Sequence, residues 1–209
     1  NYKDLLIRAV PGLHEKVVEI ITNLNFKNPR ILDLGAGQGS LSLRLNDLGF
    51  DVTAVDFNID DFKVANTVDF IQVDFNNSQE VEKFLDKNFK KFDIIIGIEV
   101  IEHIHNPWKY VEMMSILLKT GGAVIVSTPN ISSWHSRLRF LYDGMYDEFN
   151  NNSQEGHINP TSMWELKLIL KNFEFKDIEF FGAGKIYQHP SLIQRLISLV
   201  SKLFRPFLN

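Results

Sequence analysis

Arg30 to Gly39 reads RILDLGAGQG, a short apolar run that passes directly into a turn holding three glycines, and SLSLRLNDLG follows without a spacer. In that second stretch Leu41, Leu45 and Leu48 recur at helical spacing and Gly49 supplies a stop. Strand, glycine turn and helix in immediate succession form the opening unit of a parallel α/β fold. Four more apolar runs follow, DVTAVDF, DFIQVDF, FDIIIGI and AVIVSTP, separated by helical or irregular stretches. Nearly continuous apolar strands alternating with helices predict an α/β, Rossmann-like, doubly wound and mostly parallel sheet covered on both faces. Gly121 and Gly122 predict the turn before the fifth strand, and Pro129 its end. Ahead of this unit, residues 12–24 place Leu13, Val17, Ile20, Ile21 and Leu24 on one helical face. Downstream, TSMWELKLILKNF predicts a further helix and FKDIEFF a sixth strand, and no seventh, antiparallel strand is legible after it.

A chain of 209 residues is long enough for one well-buried domain, read here as residues 1–209. With no cysteine, disulfides, thiolate metal sites and a cysteine nucleophile are excluded. A net charge of -4 and the lack of a basic run count against nucleic acid as a partner. No basic n-region precedes an apolar h-region, and no run is long enough to span a bilayer, which predicts a cytoplasmic protein. Residues 130–159 make a long connection whose first half is rich in aromatic and arginine side chains, and it is expected to form a partly helical lid. Residues 191–208 read as an amphipathic helix whose wide apolar arc calls for cover from the domain, from a second subunit in a homodimer, or from peripheral membrane contact.

A glycine turn at the carboxyl end of a first strand lets the backbone approach a nucleotide-like ligand. A dinucleotide fingerprint would need glycine at position 40, which is Ser40, so the NAD reading fails at its third glycine. Asp56 closes the second strand, where a carboxylate can accept hydrogen bonds from both ribose hydroxyls. Asp74 is expected to close the third strand, facing the exocyclic amine of an adenine, with Phe75 as a stacking wall. The three features would meet over one crevice.

These segments, ILDLGAGQG, VTAVD, FIQVD, FDIIIGIEVIEHI and LLKTGGAVIVSTPN, resemble in order and spacing the motifs of class I S-adenosylmethionine-dependent methyltransferases over about residues 12–182. EVIEHI, STPN and the later GHINP are similar to the branch of ubiquinone-pathway O-methyltransferases and related enzymes of small-molecule and cell-surface glycan metabolism. The resemblance implies S-adenosylmethionine as cofactor and S-adenosylhomocysteine as product. Gly35 and Gly37 would pack on its methionine part, Asp56 would bind ribose, and Asp74 and Phe75 adenine. The Ile98 carbonyl would face the amino group. Asp33, Ala36 and Phe57 complete the candidate cofactor set.

Methyl transfer from a sulfonium is an in-line displacement with a good leaving group, so positioning supplies much of the catalysis. An oxygen acceptor must also lose a proton, which calls for a general base or a metal ion. His103 and His157 are the candidate catalytic residues. Glu99, Glu102, His103 and His157 together could hold one Mg²⁺ or Mn²⁺ ion, since carboxylates and neutral imidazoles suit such a cation. The expected acceptor is a small molecule, a lipid-linked precursor or a glycan. Two alternatives stand beside it: an RNA 2′-O-methyltransferase, because E-x-x-E-H with a later histidine resembles the metal site of the small-RNA enzymes, and a catalytically silent cofactor-binding scaffold.

Overall fold

The apolar runs become strands because β-branched side chains pack well on a pleated surface that is covered on both sides. The computed structural model describes residues 1–149 and 156–184. In chain order it contains α1 (Leu13–Asn23), β1 (Arg30–Leu34), α2 (Ser40–Asp47), β2 (Asp51–Asp56), β3 (Asp69–Gln72), α3 (Ser78–Asn88) and β4 (Phe92–Ile98). A short helical turn (Ile101–His103) then leads to α4 (Pro107–Leu117), β5 (Leu118–Ser127), α5 (Trp134–Asp143) and α6 (Met163–Asn172). The strands form one parallel sheet in the order β3-β2-β1-β4-β5.

Side chains alternate across a strand, so each run feeds two layers at once. Ile94 and Ile96 pack with Leu13, Val17, Leu41 and Leu45 of α1 and α2, whereas Ile95 packs with residues of α3, α4 and α6 on the other face. Ile94, Ile95 and Ile96 are each 0% exposed, and burying such a side chain is worth about 1.5–3 kcal/mol. A one-residue slip of β4 would exchange the two layers, so its register is strongly specified. Asn106 caps α4 by accepting from the Lys109 amide at 3.1 Å, and Pro107 takes the first helical position, where its missing N–H is no loss.

The strand order reverses between β1 and β4, because the chain winds outward through β2 and β3 before crossing back. The loops leaving β1 and β4 therefore diverge at the carboxyl edge of the sheet, and in open α/β sheets that crevice is where ligands bind.

Three expectations need correction. FKDIEFF forms no strand: Asp177 adopts a left-handed φ of 51°, which breaks the extended run, and Phe180 and Phe181 are exposed. β3 ends at Gln72 rather than at Asp74. Gly121 and Gly122 lie inside β5 instead of preceding it, at an irregularity where the β4–β5 register shifts between Phe92 and Ile94. A Cβ on Gly122 would stand 2.7 Å from the Asp93 carbonyl oxygen, so glycine permits that close approach. The 130–149 stretch carries α5, capped by the Ser133 hydroxyl on the Ser136 amide. The expected helix at 191–208 lies outside the described residues. Among the described residues no helix is long and apolar enough to cross a membrane.

Candidate active site

The glycine turn is stitched to β2 by its own amides. Gly35 and Ala36 both donate to the Val55 carbonyl, at 2.7 and 3.1 Å. Gly37 donates to Asp56 Oδ2 at 2.8 Å, and Asn58 to Asp56 Oδ1 at 3.0 Å. Each carboxylate oxygen keeps a further lone pair for a ligand hydroxyl. A Cβ on Gly35 would lie 2.3 Å from Val100 Cγ2, so the loop after β4 presses directly on the turn. α2 begins at Gly39 with no side-chain cap, leaving first-turn amides and the positive end of the helix dipole for a carboxylate. Beyond Gly37 the nearest group is Arg8, whose Nη1 stands 4.0 Å from where a Cβ would be, while its Nη2 pairs with Asp61 at 3.1 Å. The Leu6 amide donates to Gln38 Oε1 at 2.8 Å and pins this N-terminal segment over the turn. Sequence reading missed Arg8, because it lies ahead of α1 in no motif and meets the turn only through the fold.

The other candidate cofactor residues divide. Asp33 is buried beneath the turn and accepts from Ser42 Oγ at 2.5 Å, so its carboxylate ties β1 to α2. Burial pushes its pKa up to about 6; the Ser42 bond opposes this and the Asp56 charge adds to it. Phe57 is exposed and Ile98 half-buried at the sheet edge. Asp74 stands in an exposed turn, donating its amide to Glu80 Oε2 and accepting from the Asn76 amide, each at 2.9 Å. Phe75 packs at a tilt on the buried Tyr110, with ring centroids 5.6 Å apart.

Past β4 the chain is held in an uncommon conformation. Glu99 has a φ of 56°, rare for a side chain of its kind. Its amide donates to Ser127 Oγ at 2.9 Å, and that hydroxyl donates back to Glu99 Oε1 at 2.6 Å. Burial raises the Glu99 pKa, the Ser127 bond lowers it and Glu148 raises it further. Thus Glu99 bonds toward β5, and of the four candidate ligands the donor atoms of Glu102, His103 and His157 lie within 4.8 Å of one another.

A docked strap brings these three together. The Glu102 carbonyl accepts from the amides of Ile158 (2.9 Å) and Asn159 (3.0 Å), and the Asn159 side chain donates to the Ile104 carbonyl. His157 thereby meets His103 edge to face at 4.7 Å between ring centroids, and Phe149 at a tilt at 5.2 Å. Glu102 is fully buried, and His157 Nδ1 is buried without a hydrogen-bond partner among the described residues. His14 on α1 is buried, and burial together with Arg44 lowers its pKa to about 4. His135 pairs through Nδ1 with Asp147 Oδ2 at 2.9 Å.

Residues 8–179 match the methyltransferase domain family. The ubiquinone biosynthesis O-methyltransferase of Caulobacter sp. (strain K31) is 34% identical over 108 residues, covering 50% of this chain and 42% of that protein. Its namesake in Xylella fastidiosa (strain M23) is 37% identical over 114 residues, covering 53% and 46%. The match therefore spans less than half the length of these curated relatives. A solved S-adenosylmethionine-dependent methyltransferase of Archaeoglobus fulgidus aligns with a TM-score of 0.60 at 23% identity, over 92% of this chain and 88% of that one, a likeness of fold. A glycine turn closed by an acid at the switch point of a parallel sheet agrees with the domain match, and the chain belongs to the methyltransferase domain family, in its class I S-adenosylmethionine-dependent form.

Proposed function

We propose that the chain transfers the methyl group of S-adenosylmethionine to a hydroxyl oxygen of a small molecule, a lipid-linked precursor or a glycan, with His157 as the general base. The observation that carries this reading is the His103–His157 pair, 4.7 Å apart at the end of β4, with a buried His157 nitrogen that has no partner among the described residues. A buried polar nitrogen left unpaired calls for a reason, and an acceptor hydroxyl supplies one. The naming of the matched relatives as O-methyltransferases supports the same chemistry.

The residues present fit the cofactor. The space beside Gly37 admits backbone-close contact, Arg8 offers a cation for its carboxylate, and Asp56 offers lone pairs to its ribose hydroxyls. Phe57, Asp74 and Phe75 are the candidates for the adenine end, and the Ile98 carbonyl for the amino group. When bound, the sulfonium supplies an activated methyl and a neutral leaving group. His157 would take the acceptor proton, His103 would fix the orientation of the His157 ring, and Gly35 against Val100 would hold the β1 and β4 loops at one spacing.

A second reading is favoured by the three donor groups within 4.8 Å of one another, which could hold a divalent cation and lower the pKa of a bound hydroxyl. Transfer of labelled methyl from S-adenosylmethionine to a panel of a catechol, a polyprenyl phosphosugar and a nucleotide sugar tests both readings. His157→Ala should reduce transfer by about 100-fold or more. Loss of transfer in chelator, with recovery on adding Mg²⁺ or Mn²⁺, would select the metal-assisted version. Full activity in chelator would reject it, and full activity in His157→Ala would overturn the base assignment.

A further inference from the structure

α5 carries two consecutive polar residues on its inward face, His135 at 5% exposure and Ser136 at 0%. Burying polar groups is costly unless they are bonded, so a helix that merely filled space would place apolar residues there. Both are bonded to the same residue of the following segment. His135 Nδ1 meets Asp147 Oδ2 at 2.9 Å, and the Asp147 amide donates to Ser136 Oγ at 3.0 Å. Arg139, one turn after His135 on the same face, places Nη1 3.0 Å from Asp147 Oδ1 and Nε 3.4 Å from Asp143 Oδ2. The segment is closed further by the stacked rings of Phe140 and Tyr146, 4.7 Å apart, and by the Phe149 amide on the Tyr146 carbonyl at 3.2 Å. Asp147 thus joins three groups of α5, and two residues later Phe149 lies against His157. The next residue after Asp147, Glu148, is close enough to Glu99 to raise its pKa.

We infer that the His135–Asp147–Arg139 cluster is the positioning device of the acceptor end of the site: it clamps residues 144–149 to α5 and so holds Phe149 against the ring of His157. These are positioning residues that act through Phe149. The catalytic importance of the device rests on the reading of His157 as the base, whereas the clamp itself does not.

The test is NMR of the full chain with labelled histidine, saturated with S-adenosylhomocysteine. The His157 Cε1–H resonance, assigned by its loss in His157→Asn, senses the ring current of Phe149. Phe149→Leu should displace that resonance, and Asp147→Ala and His135→Ala should move it to the same displaced position. His135→Asn, which keeps a donor near the place of Nδ1, should return it toward the original position. Asp147 is 21% exposed on its side chain, so Asp147→Ala keeps the question open to decision if a variant at the more buried His135 does not fold. A resonance left in place by Asp147→Ala, while Phe149→Leu displaces it, overturns the proposal. So does a resonance that Phe149→Leu leaves unmoved. Transfer activity that survives His157→Ala would refute the base assignment alone, because the ring shift requires no turnover.

Discussion

Asp33 lies under the glycine turn, desolvated, with one hydroxyl for company. Its carboxyl is pushed up to about 6 from 3.8. Between those values the folded chain holds a proton that the unfolded chain has released, so stability falls as pH rises through this window. The protonated form's contribution is complete below 3.8 and lost above 6, a difference of about 3 kcal/mol. Asp33→Asn keeps an acceptor for Ser42 and removes the titration. Urea unfolding at a series of pH values should show wild type losing stability relative to this variant between pH 4 and pH 6.5, and parallel curves would contradict the assignment. At this scale the sequence was legible where chemistry follows the chain. Asp56 was placed by its strand end, and the Glu102–His103 step by adjacency. Arg8, Ser127 and Asp147 act on partners brought close only by the fold, and no local pattern marks them. The Glu99–Ser127 bond was illegible for a related reason, since a left-handed backbone turns the Glu99 side chain toward Ser127 and spacing cannot show that.

Among the elements, the turn after β1 and the turn after α2 allow two causes to be separated. Gly49 has a φ of 88° with nothing within 4 Å of a Cβ, whereas Gly35 has a φ of 78° and Val100 at 2.3 Å. Gly49→Ala should therefore cost only the left-handed penalty, about 1–2 kcal/mol. Gly35→Ala should cost that plus the overlap with Val100, about 1–3 kcal/mol more. Urea unfolding at neutral pH checks the pair, and equal losses would mean that the β4 loop yields freely. The strands β1, β2 and β4 were readable because their apolar runs are covered on both faces and end at turn residues. The run at 175–181 has the same composition but a φ of 51° at Asp177, so Phe175 joins the core while Phe180 and Phe181 stay exposed. Composition cannot distinguish those outcomes, because the deciding factor is one backbone angle. In β5 the glycine pair was read as a boundary, yet it permits a close approach to Asp93 within a continuing strand.

For the whole molecule, the sheet order matters more than any one element. Because β4 and β5 lie on the opposite side of β1 from β2 and β3, the glycine turn, Asp56 and the Glu102–His103–His157 group share one edge. The central claim is the proposal that the first two hold the cofactor, with its methyl toward the third. Its most direct test is calorimetric titration of S-adenosylhomocysteine into wild type and Asp56→Ala, with NAD as the competing ligand. Charge-assisted hydrogen bonds are worth about 1.5–3 kcal/mol each, so the variant should bind about 10- to 100-fold more weakly. Wild type should bind the product and ignore NAD. Equal affinity in Asp56→Ala, or binding of NAD in preference to S-adenosylhomocysteine, would contradict the account.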